Sequence, residues 1–317
     1  MNLPPVDSLR ARVLHTGVTL AAFPLRLRYG GSAPRALLEP TDSLQVRVPA
    51  GAIHTLAWGA GSATPPPVVL VHGLNANARY FTGTAAVLAS RRRVLAPDQR
   101  GHGATGPLPG GHELRETRAD LLAWLDALSL EQVDLVGHSW GGKVALDFAA
   151  AHPARVSKLV LVDPVPPQGL HWLIRRGAWA AAGIFAPERG PFPDTHALRL
   201  ARSRISWLRH AEDWMLRAFD ANFRRSPDGS YHHVLDQPSF DAIYHGVLQR
   251  PSPLPLTTVT MPALLIRATF SAMPFSAQLA WLRRRIPQLQ VASVPGEHSL
   301  HAVNPVGLAH AIDRFFA

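Results

Sequence analysis

Hydrophobic positions along the chain follow a regular pattern from about residue 43 onward. The stretch SLQVRVPAGAIHTLAWG alternates apolar and polar residues around a turn at Pro49–Gly51, which is typical of an antiparallel hairpin. PPPVVLVHG follows with a continuous apolar run of strand length, and RRVLAPDQRG, QVDLVGHS and VSKLVLVDP are also predicted to be strands. A strand without polar positions is buried on both faces, so the run in PPPVVLVHG is typical of a parallel sheet.

Segments with helical periodicity separate the strand-like runs. The clearest is ELRETRADLLAWLDAL, whose apolar residues recur three and four positions apart. After a long interruption the same alternation resumes in MPALLIRA, PFSAQLAWLRRRIP, LQVASVPG and NPVGLAHAIDRFF. This order predicts an α/β fold, a mostly parallel doubly wound sheet with helices on both faces, formed by residues 43–165 and 259–317.

The interruption itself, residues 166–258, shows no pattern of a buried strand. It is rich in Trp, Arg and Pro, its periodicity is mostly helical, and its sharpest turn signal is Pro227-Asp228-Gly229. We therefore predict a helical insertion into one core. Residues 1–42 lack the sheet pattern and are predicted to form a helical or irregular extension, with VLHTGVTLAAFPLRLRYGG as a helix on the protein surface.

Composition and charge narrow the classes of function. The chain has 317 residues, of which 47% are hydrophobic, enough for one large domain with an insertion. With 32 Lys and Arg against 22 Asp and Glu, its formal charge is +10. Such a charge suits nucleic acid or an anionic membrane surface. The arginines are scattered and no nucleic-acid module is recognisable, so we expect no nucleic-acid partner and keep weak membrane-surface contact as an alternative.

The chain contains no cysteine. This excludes disulfides, thiolate metal sites and a cysteine nucleophile, and it fits a reducing compartment such as the cytoplasm. The sequence has no glycine-rich phosphate loop and no cluster of residues at metal-ligand spacing, so neither a metal nor an organic cofactor is expected.

One strand-like run ends in a motif that carries chemistry. Gly137-His138-Ser139-Trp140-Gly141 closes the run QVDLVGHS, and a helical pattern begins directly after it. A serine on such a sharp strand-to-helix turn is strained and its hydroxyl is lifted above the edge of the sheet, while the flanking glycines allow close packing. The helix N-terminus stabilises negative charge beside it. Ser139 is therefore predicted to be a nucleophile; the alternative is a serine that only caps the helix.

With three further motifs, this turn resembles the α/β-hydrolase superfamily over almost all of residues 43–316. VLVHGL resembles the His-Gly turn after the third strand, and DQRGHG at Asp98–Gly103 resembles the loop after the fourth. PGEHSLHAVNP resembles the histidine loop after the last strand. The resemblance implies that the insertion is a helical cap and that His298 is the general base for Ser139.

Other roles also follow from this resemblance. The oxyanion hole would consist of the backbone N–H groups of Leu74 and Trp140. His72 would brace the loop that carries Leu74, and Asp98 and Arg100 would hold their own loop. His301 is a rival of His298 by proximity, but it does not stand in the family's position.

The acid of the implied triad is missing from its usual place. Similar hydrolases carry an aspartate after the strand that follows the insertion, where this chain reads LLIRATFSAMPF without Asp or Glu. Ser271 lies near the expected position but has no carboxylate. Asp163, at the end of LVLVDP, is the best substitute, because some relatives place the acid after that strand. Two alternatives stay open, an Asp163 that only shapes the cap entrance and a dyad without an acid.

The resemblance implies a serine hydrolase that acts on a carboxylic ester or related acyl bond of a small to medium, largely apolar substrate through an acyl-enzyme. The alternatives are a C–C bond, lactone or amide hydrolase on the same scaffold, and a non-catalytic ligand-binding protein. Aromatic residues of the insertion are expected mostly to pack against the core, with a few lining a pocket. They are Trp172, Trp179, Phe185, Phe192, Trp207, Trp214, Phe219, Phe223 and Tyr231. The arginines of the insertion are expected to form a solvated basic face.

Overall fold

An eight-stranded sheet forms the centre of the protein. The computed structural model describes residues 33–60, 65–166, 189–205, 208, 211–244, 254–271 and 273–317. The strands of this sheet are β1 (Asp42–Val48), β2 (Gly51–Trp58), β3 (Val68–Val71), β4 (Val94–Pro97), β5 (Val133–His138), β6 (Val156–Val162), β9 (Ala263–Ala268) and β10 (Gln290–Val294). They lie side by side in the order β1-β2-β4-β3-β5-β6-β9-β10. The strands β7 and β8 belong to the insertion.

The pairing follows the hydrophobic pattern of the sequence. β1 and β2 form the antiparallel hairpin at one edge, and β2 is also antiparallel to β4. All other neighbours in the sheet are parallel. Every residue of β3, β4 and β5 is buried, as expected for strands covered on both faces. The predicted mostly parallel, doubly wound sheet is confirmed.

Helices cover the sheet on both sides. They are α1 (Thr82–Leu88), α2 (Leu114–Ala127), α3 (Trp140–Ala151), α7 (Phe275–Arg283), α8 (Leu300–Val303) and α9 (Pro305–Phe316). Val69 and Val71 of β3 face a core shared with α2, α3 and α7, while Val68 and Leu70 face a second core shared with α1 and α9. This alternation along one strand follows from the two-residue period of a β-strand.

The insertion contributes three helices and a hairpin to the described part of the chain. They are α4 (Thr195–Arg204), α5 (Asp213–Asp220), β7 (Phe223–Arg225), β8 (Tyr231–His233) and α6 (Gln237–Ala242). β7 and β8 are antiparallel and enclose the predicted turn at Pro227-Asp228-Gly229. The insertion, which the sequence predicts to be mostly helical, thus also contains a short hairpin around that turn. Strands of three residues carry too little alternation to be located by periodicity alone.

The buried aromatic residues of the insertion pack onto the core as expected. Phe192, Trp214, Phe219 and Phe223 form one apolar cluster with Tyr80 and with small residues of the core. The expected N-terminal surface helix and Trp172, Trp179, Phe185 and Trp207 lie outside the described residues. Among the helices that are described, none is both long and apolar enough to cross a lipid bilayer.

Some arginines pair with acids instead of facing only solvent. Arg202 and Arg217 of the insertion lie 2.8 Å from Asp220 and 2.9 Å from Glu39. Arg92 Nη1 lies 2.7 Å from Asp134 Oδ2 at the start of β5, and this pair is largely buried. Asp134 thus has a structural partner at the end of the strand opposite Ser139.

Candidate active site

Ser139 occupies the turn between β5 and α3 in a strained conformation. Its φ is 55° and its ψ is −119°, a combination that residues other than glycine rarely adopt. A Cβ atom on Gly137 would collide with the carbonyl group of Gly141, and one on Gly141 would collide with the carbonyl groups of Val71 and His72. Both glycines are therefore required by packing, as the sequence pattern predicts for a nucleophile turn.

His298 and Asp163 complete a hydrogen-bonded chain with Ser139. The distance from Ser139 Oγ to His298 Nε2 is 2.9 Å, and that from His298 Nδ1 to Asp163 Oδ2 is 2.6 Å. An ionised carboxylate only accepts, so His298 donates from Nδ1 and leaves Nε2 to accept from the serine hydroxyl. Ser139 is 4% exposed and Asp163 3%. Three residues predicted from distant segments are thus brought together, with the imidazole in the tautomer that a general base requires.

Asp163 reaches His298 from the end of β6. It has a positive φ of 39°. Its Oδ2 accepts a second hydrogen bond, from Ser271 Oγ at 2.5 Å, and Ser271 Oγ accepts from the Met273 amide at 3.1 Å. Ser271 therefore stands where similar hydrolases carry their acid, and it binds the displaced carboxylate. From the sequence, Ser271 is noted only as a residue that has no carboxylate. Its hydroxyl group, at the position where similar hydrolases carry their acid, could have indicated a hydrogen bond to the displaced acid.

The two predicted oxyanion amides lie on the loop after β3 and at the start of α3. Among the described residues, neither the Leu74 nor the Trp140 N–H donates to a protein acceptor. A Cβ on Gly73 would lie 3.2 Å from Ser139 Cβ, so the loop passes directly beside the serine. Both amides are thus left for a ligand, as an oxyanion hole requires.

His72 braces this loop, as expected. Its Nδ1 donates to the Gly73 carbonyl at 2.8 Å, and its Nε2 accepts from the Gln99 amide at 3.0 Å. Burial lowers the pKa of His72. Because one ring nitrogen must accept from a backbone N–H, the imidazole is neutral and serves structure instead of proton transfer.

His138, the residue before the nucleophile, has a role that the sequence did not reveal. Its Nε2 donates to the His298 backbone carbonyl at 2.9 Å, so it ties the histidine loop to the nucleophile turn. Burial lowers the pKa of His138 to about 3, which keeps it neutral. His301, the rival of His298, packs against the His138 ring at a centroid distance of 4.6 Å. His298, not His301, holds the position beside the Ser139 hydroxyl.

Asp98 and Arg100 hold their own loop, which confirms the expectation. Asp98 accepts from the Ala78 and Ala104 amides at 2.7 and 2.8 Å. Arg100 makes a two-point contact with Asp120, at 2.6 and 2.8 Å. Two parallel hydrogen bonds between a guanidinium and a carboxylate fix the relative orientation of the two groups and are strengthened by their opposite charges.

A second Ser-His-Asp chain lies away from this site. Ser43 Oγ is 2.9 Å from His54 Nε2, and His54 Nδ1 is 2.7 Å from Asp98 Oδ2. Ser43 lies on the exposed strand β1 and is not among the residues with positive φ. It does not precede a helix, so it lacks the amide donors that surround Ser139. Ser43 and Ser139 are both hydrogen-bonded to a histidine, but only Ser139 lies on a strained turn beside backbone amides. Comparing the reactivity of the two serines therefore shows how much the turn and its amides add to the effect of the histidine.

Glu297 is a buried acid next to His298. Its side chain is 8% exposed, and its Oε1 has no hydrogen-bond partner among the described residues. Burial raises the pKa of Glu297 to about 7 from its ordinary value of 4.5. Between these two values the folded protein keeps a proton that the unfolded chain has lost. The free energy of unfolding therefore falls as pH rises through this window.

We expect Glu297→Gln to remove this pH dependence. Wild type and variant should be equally stable at about pH 4, and above about pH 7 the variant should be more stable by about 3 kcal/mol. Urea unfolding at a series of pH values measures the difference. Glu131→Gln, at an exposed position, is the matched control. Parallel pH curves for wild type and Glu297→Gln would show that the buried acid does not titrate as described.

Comparisons with known proteins agree with this geometry. The profile of the alpha/beta hydrolase fold family matches residues 66–305. The chain is 29% identical over 262 residues to the sn-1-specific diacylglycerol lipase ABHD11 of Mus musculus, covering 81% of this chain and 83% of that protein. The crystal structure of E-2-(acetamidomethylene)succinate hydrolase matches with a TM-score of 0.72 at 25% identity, covering 87% of this chain and 98% of that one.

A more identical match is local. The chain is 43% identical over 120 residues to 2-hydroxy-6-oxo-2,4-heptadienoate hydrolase of Pseudomonas putida, which covers 37% of this chain and 43% of that enzyme. The chain therefore spans less than half the length of this relative.

Proposed function

The chain belongs to the alpha/beta hydrolase family, and on this basis we propose that it is a serine hydrolase that cleaves a carboxylic ester or a related acyl bond. The observation that carries the proposal is the hydrogen-bonded chain Ser139–His298–Asp163, at 2.9 and 2.6 Å, beside two amides that have no acceptor among the described residues. This set holds every group that acyl transfer through a serine needs.

The proposed reaction has two halves. Ser139 Oγ attacks the substrate carbonyl while His298 Nε2 takes the hydroxyl proton, and Asp163 stabilises the imidazolium. The carbonyl oxygen becomes an oxyanion held by the Leu74 and Trp140 amides. The bond to the leaving alkoxide then breaks, the proton on His298 passes to that alkoxide, and an acyl-enzyme forms. Water activated by His298 attacks the acyl-enzyme, which releases the acid and restores the Ser139 hydroxyl.

Ester hydrolysis is the first choice among acyl bonds. A relative that is named as an sn-1-specific diacylglycerol lipase aligns with 81% of this chain and with 83% of its own length. A second candidate, hydrolysis of a substrate like that of the heptadienoate hydrolase, is favoured by the local match to that enzyme.

We expect wild-type protein to hydrolyse p-nitrophenyl esters, with kcat/KM passing through a maximum as the acyl chain lengthens from acetate. The optimum would reflect the size of the acyl pocket, because apolar contacts improve until the pocket is full. Ser139→Ala provides the blank at each chain length. No turnover above this blank on any ester would contradict ester hydrolysis, and turnover of a 2-hydroxy-6-oxo-dienoate would then favour the second candidate.

A further inference from the structure

A buried hydrogen-bonded cluster joins the insertion to the loop that carries Leu74. Asn222, which lies between α5 and β7, donates from Nδ2 to the Asn75 carbonyl at 2.9 Å and to Tyr80 Oη at 3.0 Å. Asn77 Nδ2 donates to Asn222 Oδ1 at 2.8 Å and to the Ala218 carbonyl at 2.8 Å. The side chains of this cluster are almost completely buried. One asparagine of the insertion thus connects three points of the core.

The insertion binds both the backbone carbonyl group and the side chain of Asn75. The carbonyl group of Asn75 accepts from Asn222, and its Oδ1 accepts from Nη1 of Arg189, which also belongs to the insertion. Asn75 has a φ of 57°, a left-handed conformation that asparagine tolerates better than most residues. It directly follows Leu74. Leu74 and its N–H therefore lie in a turn, and the insertion holds the following residue of that turn, Asn75, in place.

Apolar packing surrounds this polar cluster. Met215, Ala218 and Phe219 of α5 lie in one buried cluster with Ala76 and Tyr80 of the core. Hydrogen bonds inside such a dry contact are expensive to break, because a lost partner leaves a desolvated polar group behind. The base of the insertion therefore acts as a fixed part of the loop and not as a detached lid.

We propose that Asn222 is a positioning residue for the oxyanion hole, through which the insertion sets the direction of the Leu74 amide. The inference rests on the proposed acyl-transfer function. It means that docking of the insertion is a condition for catalysis, separate from any part that the insertion has in binding the substrate. Arg189 contributes to the same positioning, because it donates a hydrogen bond to the side chain of Asn75.

The experiment compares Asn222→Ala with wild type and with Arg225→Gln. Arg225 is exposed and lies three residues further on the same segment, so it is a control for changes to the insertion that leave the cluster intact. For Asn222→Ala we expect kcat to fall about tenfold to a hundredfold with KM nearly unchanged. Affinity for an alkyl trifluoromethyl ketone, whose hemiketal oxygen occupies the hole, should fall by the same factor. A residue that only stabilises the fold would leave both quantities unchanged in the folded fraction.

A second readout does not depend on turnover. The Leu74 amide resonance, observed in protein labelled with ¹⁵N-leucine, should shift in Asn222→Ala and stay in place in Arg225→Gln. An unchanged Leu74 resonance would overturn the inference, whether or not the protein is an esterase. Unchanged kcat and ketone affinity in a variant of an active enzyme would overturn it as well. Because Asn222→Ala removes buried hydrogen bonds, Arg189→Gln serves as the milder variant, with the same changes in the same direction.

Discussion

Replacing Ser139 by alanine should lower kcat for an activated ester by about 10⁶-fold, to the level that binding and the oxyanion amides support alone. The reason is that Ser139 Oγ, 2.9 Å from His298 Nε2, is the group that forms the covalent bond in the proposed mechanism. His298→Ala should have an effect of similar size, since the serine hydroxyl is a weak nucleophile without a base. The measurement is single-turnover and steady-state hydrolysis of the best p-nitrophenyl ester.

The double variant and a matched serine sharpen this first prediction. Ser139→Ala with His298→Ala should be no slower than either single variant, because residues of one catalytic unit are strongly non-additive. Ser43→Ala removes another serine that is hydrogen-bonded to a histidine, and it should retain wild-type kcat/KM. Unfolding curves for all variants must overlap with that of wild type. A Ser139→Ala protein that stays folded and within about tenfold of wild type would contradict the proposed mechanism.

Asp163→Asn should lower kcat by about 10⁴-fold. An asparagine can present its N–H₂ group to His298 Nδ1 and so favour the tautomer in which Nε2 carries the proton and cannot accept from Ser139. It also loses the charge that stabilises the imidazolium. The neighbouring Ser271 hydroxyl, which donates to Asp163 Oδ2 at 2.5 Å, would accept as readily from an amide and so would not correct the orientation.

Ser271 offers a way to restore the acid. An aspartate at residue 271 extends one bond further than serine, toward the space where the Asp163 carboxylate meets His298. We therefore expect Asp163→Asn with Ser271→Asp to recover at least about tenfold of the kcat lost in Asp163→Asn. Near wild-type activity of Asp163→Asn alone would show that the site works as a dyad. The same result would assign Asp163 only to the shape of the cap entrance.

The sequence alone allowed most of the sheet to be predicted. A fully apolar run such as that of β3 fits few structures other than a buried strand, and the Gly-x-Ser-x-Gly turn located Ser139 because only glycine fits at 137 and 141. Asp163 could be proposed only because the region from Met261 to Arg285 has no acid. Its contact with His298 depends on the register of β6 beside β9, where Val162 is opposite Ile266. Residues separated by a long insertion give no signal of such pairing.

Other contacts were beyond sequence reasoning for the same reason. His138 reaches the His298 carbonyl across 160 residues of sequence, and Asn222 reaches the Asn75 carbonyl across 147. Neither residue type is unusual at its position, so nothing in the local pattern marks it. Short strands such as β7 and β8 are not located by periodicity, because three residues contain little of it, and only the turn at Pro227-Asp228-Gly229 marks their hairpin. The sequence alone does not show which distant residues the fold brings into contact with His138 and Asn222.

The most direct test of the account is to find which serine reacts with a fluorophosphonate. We would incubate the wild type, Ser139→Ala and Ser43→Ala with the reagent and locate the adduct by tandem mass spectrometry of the digested protein. We expect a single adduct on Ser139 in the wild type, the same adduct at the same rate in Ser43→Ala, and none in Ser139→Ala. An adduct on Ser43, or a folded wild-type protein that does not react at all, would contradict the assignment of Ser139 as the activated nucleophile.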